Sequence, residues 1–291
     1  MDYLTKTGWG GKATVTVSEL MADPSGWRKH LYDRKILVLQ GLADLSESEF
    51  WQLHTIWGEP WNAEDYTSTT ERFQAIGDNK FITLYGNKIT QKSIGNRQMP
   101  WHRDIPWHRD KRYPIRTLYP KRMTLGAGAT GTQFCDCDVL WERLDADQKI
   151  ALEQTEVLIH SWYQLQHGVP NPQRRWIPLV ETHPATKKQS VLLNSFGPMR
   201  SELEFSTAIT GTWILDARRK DGVPLQNPLG WINQLHRLAA THDNCYTHNW
   251  TIGDLVLFDN FSGVFHCRDR VVAQPDAERL FWRMNIKQNW D

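Results

Sequence analysis

Cysteine is scarce in this chain, with four residues (Cys135, Cys137, Cys245 and Cys267) in 291. That excludes a disulfide-built scaffold and suits reduced thiols. Cys135 and Cys137 are separated by one residue, whereas zinc sites favour two or more between cysteines, so the pair reads as part of a strand or its edge. No apolar run approaches the ~18–20 residues that a membrane span needs. The first residues, Met1-Asp2-Tyr3-Leu4-Thr5-Lys6, lack the apolar core of a signal peptide, and a cytoplasmic location is expected. Charge bias is missing too: 34 basic residues face 33 acidic ones, for a net charge of +1. With no basic tract, nucleic-acid binding has no electrostatic support. There is no low-complexity run, no clear linker and no repeat beyond one local duplication. A single domain over residues 1–291 follows.

Tryptophan, by contrast, is abundant, with 15 residues. Rings of that size fill a wide core or line a pocket. Lys35-Ile36-Leu37-Val38-Leu39-Gln40 is a short apolar run closed by Gly41, the pattern of a buried strand. Ser46-Glu47-Ser48-Glu49 is a capping box opening a helix with Phe50, Leu53, Ile56 and Trp57 on its apolar face. Further strands are expected at 12–17, 81–85, 116–123, 156–162, 190–194, 245–250, 254–258, 263–268 and 278–286. Helices are expected at 24–31, in two pieces over 139–152, and at 228–240, where Leu229, Ile232, Leu235 and Leu238 form the apolar stripe. Many short strands with turn signals between them, and helices gathered mostly ahead of the last ones, predict a mainly β fold with peripheral helices. A double-stranded β-helix, or jelly roll, fits best. The stretches 62–100 and 197–227 are expected to hold lid loops, since long connections inside a domain often bind or cover a ligand.

One constellation carries chemistry. Trp101-His102-Arg103-Asp104 offers an imidazole and a carboxylate at i and i+2, which share one face of a strand. His266 lies 164 residues later, at the end of Gly253-Asp254-Leu255-Val256-Leu257-Phe258-Asp259-Asn260-Phe261-Ser262-Gly263-Val264-Phe265-His266. Two imidazoles and one carboxylate can occupy a triangular face of non-heme iron(II) and leave three positions open. The WHRD tetrad recurs at 107–110, so His108 and Asp110 compete for the same role.

These residues resemble the iron(II)/2-oxoglutarate-dependent dioxygenases of the taurine-dioxygenase-like (TauD/TfdA) family, over nearly the whole chain. Trp101-His102-Arg103-Asp104 is similar to the family's W-H-x-D, and Pro114-Ile115-Arg116-Thr117-Leu118-Tyr119 to the proline and strand that follow it. The distance to Pro114 favours His102 over His108. Gly131-Thr132 resembles the end of the Gly-Gly-Asp-Thr turn, without its Asp. His183-Pro184-Ala185-Thr186 through Leu192-Leu193-Asn194 resembles the family's His-Pro-x-Thr segment and next strand. Trp250-x-x-Gly253-Asp254 through Asp259-Asn260 to His266 is the closest match. Arg279 and Arg283 match the closing Arg-x-x-x-Arg.

The resemblance implies His102, Asp104 and His266 as ligands of iron(II) and as the catalytic centre. It implies Thr132 and Arg279 as contacts of 2-oxoglutarate, whose far carboxylate suits a planar, bidentate guanidinium. Arg283 is implied as a substrate contact, with Trp107 and His108 near the cavity mouth. The activity implied is oxygen-dependent decarboxylation of 2-oxoglutarate to succinate and carbon dioxide, coupled to hydrogen abstraction from a small organic substrate. Related halogenases lack the carboxylate ligand, so Asp104 argues for hydroxylation, desaturation or ring closure. A specialised metabolite or amino-acid derivative is the expected substrate, with O2 as co-substrate and neither nucleic acid nor membrane as partner. Self-association into a homo-oligomer is left open. The competing classes are an inactive jelly-roll binding module and a demethylase using the same iron chemistry.

Overall fold

The computed structural model describes residues 1–61, 75–76, 79–88, 99–104, 115–124, 131–161, 174–194, 212–268 and 278–287. The chain opens with β1 (Asp2–Tyr3) and β2 (Gly11–Thr14), then α1 (Val17–Ala22) and α2 (Pro24–Arg34). Thr16 and Glu19 form a capping box on α1, and Asp23 caps α2 ahead of Pro24. Each cap satisfies amides that the first helical turn leaves without partners. α2 ends at Lys35 in the left-handed region (φ +70°). The Lys35 ammonium then lies 2.5 Å from the carboxylate of Asp136 and 2.7 Å from that of Asp138. Buried charges survive only when paired, and here the pairing ties the end of α2 to a distant strand end.

β3 (Ile36–Gln40) is the expected apolar strand. The Ser46/Glu49 capping box opens α3 (Glu47–Gln52), followed by α4 (His54–Trp57). Next come β4 (Glu59–Pro60), β5 (Ala75–Ile76), β6 (Asn79–Gly86), β7 (Met99–His102), β8 (Ile115–Met123) and β9 (Thr132–Asp136). The helical segment predicted at 139–152 is α5 (Asp138–Arg143) and α6 (Ala146–Glu153), split at the Asp145 cap. β10 (Thr155–Ser161), β11 (Arg174–Pro178), β12 (Val180–Thr182), β13 (Gln189–Val191) and β14 (Thr212–Arg219) follow. α7 (Pro228–Ala239) leads to β15 (Cys245–His248), β16 (Leu255–Asp259), β17 (Val264–Arg268) and β18 (Arg279–Lys287).

The stripe of α7 is narrower than its sequence suggests. Ile232, Leu235 and Ala239 are buried, while Leu229 and Leu238 are exposed. The helix packs against α5 and β14, and its outer leucines stay on the exposed side. Within the segment 197–227 the described part is β14 and the turn after it, and the rest lies outside the described residues.

Two sheets make the jelly roll. The larger runs β1-β2-β3-β16-β8-β18-β6-β5, with β4 also on β18; the smaller runs β15-β9-β17-β7. Three apolar layers result from the period-2 alternation of the strands. Ile36, Val38, Val256 and Phe258 of the large sheet meet Phe134 and Val264 of the small one in the central layer. Leu37, Leu39, Leu255 and Leu257 point to the other side, under α1–α4. Cys135 and Phe265 turn outward from the small sheet onto α5–α7, the β11-β10-β14 sheet and the β12–β13 hairpin. Among the described residues, no helix is long and apolar enough to cross a membrane.

Candidate active site

β7 forms the edge of the small sheet, and its partner is β17. His102 and His266 are register partners across that pair, so both imidazoles leave the sheet side by side toward the central layer. Their ring centroids are 4.2 Å apart. Asp104, two residues past His102, returns to the same side. Its Oδ1 lies 3.9 Å from His102 Nε2 and its Oδ2 3.9 Å from His266 Nε2. One ligand atom from each residue falls within 4.8 Å of the others. All three residues are buried.

The tautomer of His102 follows from its neighbour. Nδ1 lies 2.6 Å from the Pro100 carbonyl, which can only accept, so Nδ1 carries the proton and Nε2 keeps its lone pair. Nε2 is buried and without a hydrogen-bond partner. An oriented imidazole with an unused lone pair, held by a carbonyl behind it, is the usual support of a metal-binding histidine. Burial pushes the pKa of His102 down, and burial, with the cost of protonating a second ring beside His102, pushes that of His266 well down, so both rings are neutral. Burial alone would raise Asp104. Arg116, whose Nε lies 3.0 Å from Oδ2, reverses this together with His266, His102 and Arg283, and the carboxyl sits below its ordinary range. Two neutral imidazoles and one ionised carboxylate therefore converge on one point, a donor set that fits iron(II).

A second feature fits an anion. Arg279, at the start of β18, is buried. Its Nε and Nη1 have no hydrogen-bond partner, and its guanidinium packs 4.7 Å from the Phe281 ring centroid. Burial, reinforced by the charge of Arg268, lowers its pKa to about 9. A buried guanidinium with unused donors is costly unless an anion completes it. Thr132 opens β9 on the opposing sheet, where its hydroxyl accepts from Trp250 Nε1 at 3.0 Å. Trp250 packs edge-on against Phe281, 4.7 Å between centroids, so Thr132 and Arg279 are bridged by one aromatic pair. The hydroxyl proton of Thr132 remains available to a ligand. Arg283 lies two periods of alternation further along β18, buried, with Nε donating to Thr83 Oγ1 at 3.2 Å.

Trp107, His108 and Asp110 lie outside the described residues. Among the described residues, His102 and Asp104 of the first tetrad meet His266.

Three features were not read from the sequence. Arg103, between the two ligand candidates, is fully buried on the opposite side of the segment. Asn260 clasps the Asp104 backbone: Asp104 N–H donates to Asn260 Oδ1 at 3.2 Å, and Asn260 Nδ2 donates to the Asp104 carbonyl at 2.7 Å. Arg116 holds the Asp104 carboxylate. The signal for Arg103 was present in the alternation itself, since a charge at i+1 between two inward ligands must face the other way, into the core.

A family model for the taurine catabolism dioxygenases, TauD/TfdA, matches residues 3–285. The chain belongs to the TauD/TfdA family. It is an iron(II)- and 2-oxoglutarate-dependent dioxygenase, as the family's members are. No curated protein matches it by sequence. Among solved structures it is similar to AAD-2 in complex with Mn(II) and N-oxalylglycine, at 16% identity and a TM-score of 0.70, covering 99% of this chain and 97% of that one. It is also similar to a taurine dioxygenase from Burkholderia xenovorans, at 14% identity and a TM-score of 0.68, covering 96% and 86%. At these identities the likeness establishes the jelly-roll fold.

Proposed function

We infer that this TauD/TfdA dioxygenase hydroxylates, desaturates or cyclises a small organic substrate, a specialised metabolite or amino-acid derivative. His102, Asp104 and His266 are the residues that would hold iron(II). The reading rests chiefly on one observation: a ring nitrogen each of His102 and His266 and a carboxylate oxygen of Asp104 lie within 4.8 Å of one another, and all three residues are buried. When bound, the metal supplies oxygen activation driven by decarboxylation of 2-oxoglutarate. Pro100 fixes the imidazole of His102, and Arg116 keeps Asp104 ionised, so the carboxylate is ready to neutralise a cation without losing a proton first. Arg279 and Thr132 would receive the far carboxylate of 2-oxoglutarate, which supplies the anion that Arg279 otherwise lacks. A neighbour in the same fold was solved with Mn(II) and N-oxalylglycine, a metal and a 2-oxoglutarate analogue, which supports this pairing. Arg283, Trp107 and His108 are proposed as substrate contacts. The apolar central layer around Phe134, Phe258 and Val264 keeps bulk water from the reacting carbon.

Anaerobic titration of the apoprotein with iron(II) and 2-oxoglutarate tests this. A weak visible charge-transfer band is expected, lost in His102→Ala and kept in His108→Ala. A band lost in His108→Ala and kept in His102→Ala would move the site to the second tetrad. No band in a folded protein supplied with iron would leave an inactive binding module as the reading.

A further inference from the structure

We propose that Arg103 is a positioning residue, locked by the β12–β13 hairpin so that the hairpin sets the separation between Asp104 and His266. The inference rests on the metal reading above.

Arg103 is 0% exposed. Its Nη1 donates to Glu181 Oε2 at 3.3 Å, and its Nη2 donates to Ser190 Oγ at 3.3 Å and to the Phe261 carbonyl at 3.4 Å. Glu181 and Ser190 are register partners across the hairpin, so one cross-strand pair presents both side chains to one guanidinium. The third acceptor belongs to the turn that leads into β17 and His266. A single side chain thus bridges the ligand segment 102–104, the hairpin and the turn before the third ligand.

The turn is held from the other side as well. His183, the residue after β12, lies 2.7 Å through Nε2 from Asp259 Oδ2, while its Nδ1 accepts from the amides of Ala185 and Thr186. An Nδ1 that accepts leaves the proton on Nε2, so His183 donates to Asp259. Asp259 in turn accepts from Phe261 N–H at 2.8 Å. The next residue, Asn260, clasps the backbone of Asp104. The hairpin therefore reaches Asp104 by two routes, through Arg103 along the chain and through Asp259–Asn260 across space. The first route runs through contacts of 3.3–3.4 Å at Arg103 and the second through contacts of 2.7–3.2 Å at His183 and Asn260. The guanidinium is suited to this because its donors leave in a fixed planar fork, which fixes direction as well as distance.

Cobalt(II) serves as a probe that binds without oxygen or turnover. Dissociation constants and the visible absorption of the cobalt-loaded protein are measured for the parent, Glu181→Gln, Arg103→Lys and Arg103→Met, alongside melting of each apoprotein. Glu181→Gln is nearly isosteric and is expected to weaken cobalt by about tenfold or more and to alter the absorption bands. Arg103→Lys, which keeps the charge but loses the fork, is expected to fall between the parent and Arg103→Met. Val191→Ala is the control, because it weakens the same hairpin in its apolar packing and its hydrocarbon side chain can form no hydrogen bond to Arg103. It is expected to lower apoprotein melting while leaving affinity and bands within about twofold of the parent. Unchanged affinity and spectrum in Glu181→Gln would overturn the proposal, as would an equal shift in Val191→Ala at matched loss of melting temperature. If Arg103→Met does not fold, Glu181→Gln and Arg103→Lys decide. A parent that fails to bind cobalt refutes the metal reading itself. A parent that binds, with binding abolished in His266→Ala and unaffected in Glu181→Gln, refutes only the role of Arg103.

Discussion

His102 and His266 are cross-strand partners of β7 and β17, with ring centroids 4.2 Å apart. Strand pairing, rather than a loop, sets their distance. Removing either imbalances the metal site without removing a backbone contact. His266→Ala is expected to lose metal binding altogether while the apoprotein still folds cooperatively but melts several degrees below the parent, because the ring packs against His102, Phe134 and Phe258 and its removal leaves a cavity. Calorimetric titration with metal, next to a melting curve, checks both halves. Metal binding retained at parental strength would remove His266 from the ligand set.

Arg279 is buried with unused donors, and that has opposite consequences with and without 2-oxoglutarate. Without it, the guanidinium is a buried charge lacking a partner, so Arg279→Met is expected to melt above the parent. With it, the parent gains a charge-assisted contact of about 1.5–3 kcal/mol, and the variant needs roughly tenfold to hundredfold more 2-oxoglutarate for half-saturation. Melting curves with and without saturating 2-oxoglutarate are expected to cross. A variant less stable than the parent in both conditions would mean that Arg279 is structural.

Much of the site was legible because its residues sit in short local patterns. The i, i+2 spacing of His102 and Asp104 is a strand property, and the strand carrying His266 was expected at 263–268, where β17 spans Val264–Arg268. The capping box at Ser46 and Glu49 and the split helix over 139–152 were readable for the same reason. The β12–β13 hairpin was read only in part: a strand was expected at 190–194, where β13 spans Gln189–Val191, but β12, with three residues, is too short for a period to emerge. The role of Arg103 was hidden for a different reason. Its partners Glu181 and Phe261 are 78 and 158 residues away, and only the folded chain brings them to one guanidinium. The exposed Leu229 and Leu238 show the converse limit, since a helical stripe states what could be buried and not how much surface arrives to bury it.

Buried histidines away from the candidate metal site are expected to add to the loss of stability in acid. Burial lowers His236, whose Nε2 lies 2.7 Å from the Asn194 carbonyl, and lowers His248 from the ordinary 6.5 to about 4. A histidine with a depressed folded pKa takes up protons more readily when unfolded. Stability is therefore full above about pH 6.5 and falls as the pH drops from there toward 4. Metal-free protein, unfolded by denaturant across that range, is expected to show this slope, and His248→Gln is expected to flatten it. An unchanged slope in a folded His248→Gln protein would assign the loss to other groups.

Gly263 gives the last test, of how tightly the hairpin is seated on the turn before His266. It has φ +81°, and a Cβ built there would overlap Asp138 Oδ1 and come within 2.9 Å of Ser190 Cβ, on β13. Gly222 has a similar φ of +89° but open space around it. Alanine at Gly222 thus bears only the backbone penalty of the left-handed region, about 1–2 kcal/mol, whereas alanine at Gly263 must also push the hairpin outward. The hairpin cannot move without carrying Ser190 and, through it, the guanidinium of Arg103. Gly263→Ala is therefore expected to melt lower than Gly222→Ala by roughly 2–6 °C, the equivalent of about 1–2 kcal/mol in a chain of this size. It is also expected to weaken metal binding, which Gly222→Ala leaves alone. Equal melting and equal metal affinity in the two variants would mean that the hairpin rests loosely on the turn and transmits nothing to the ligands.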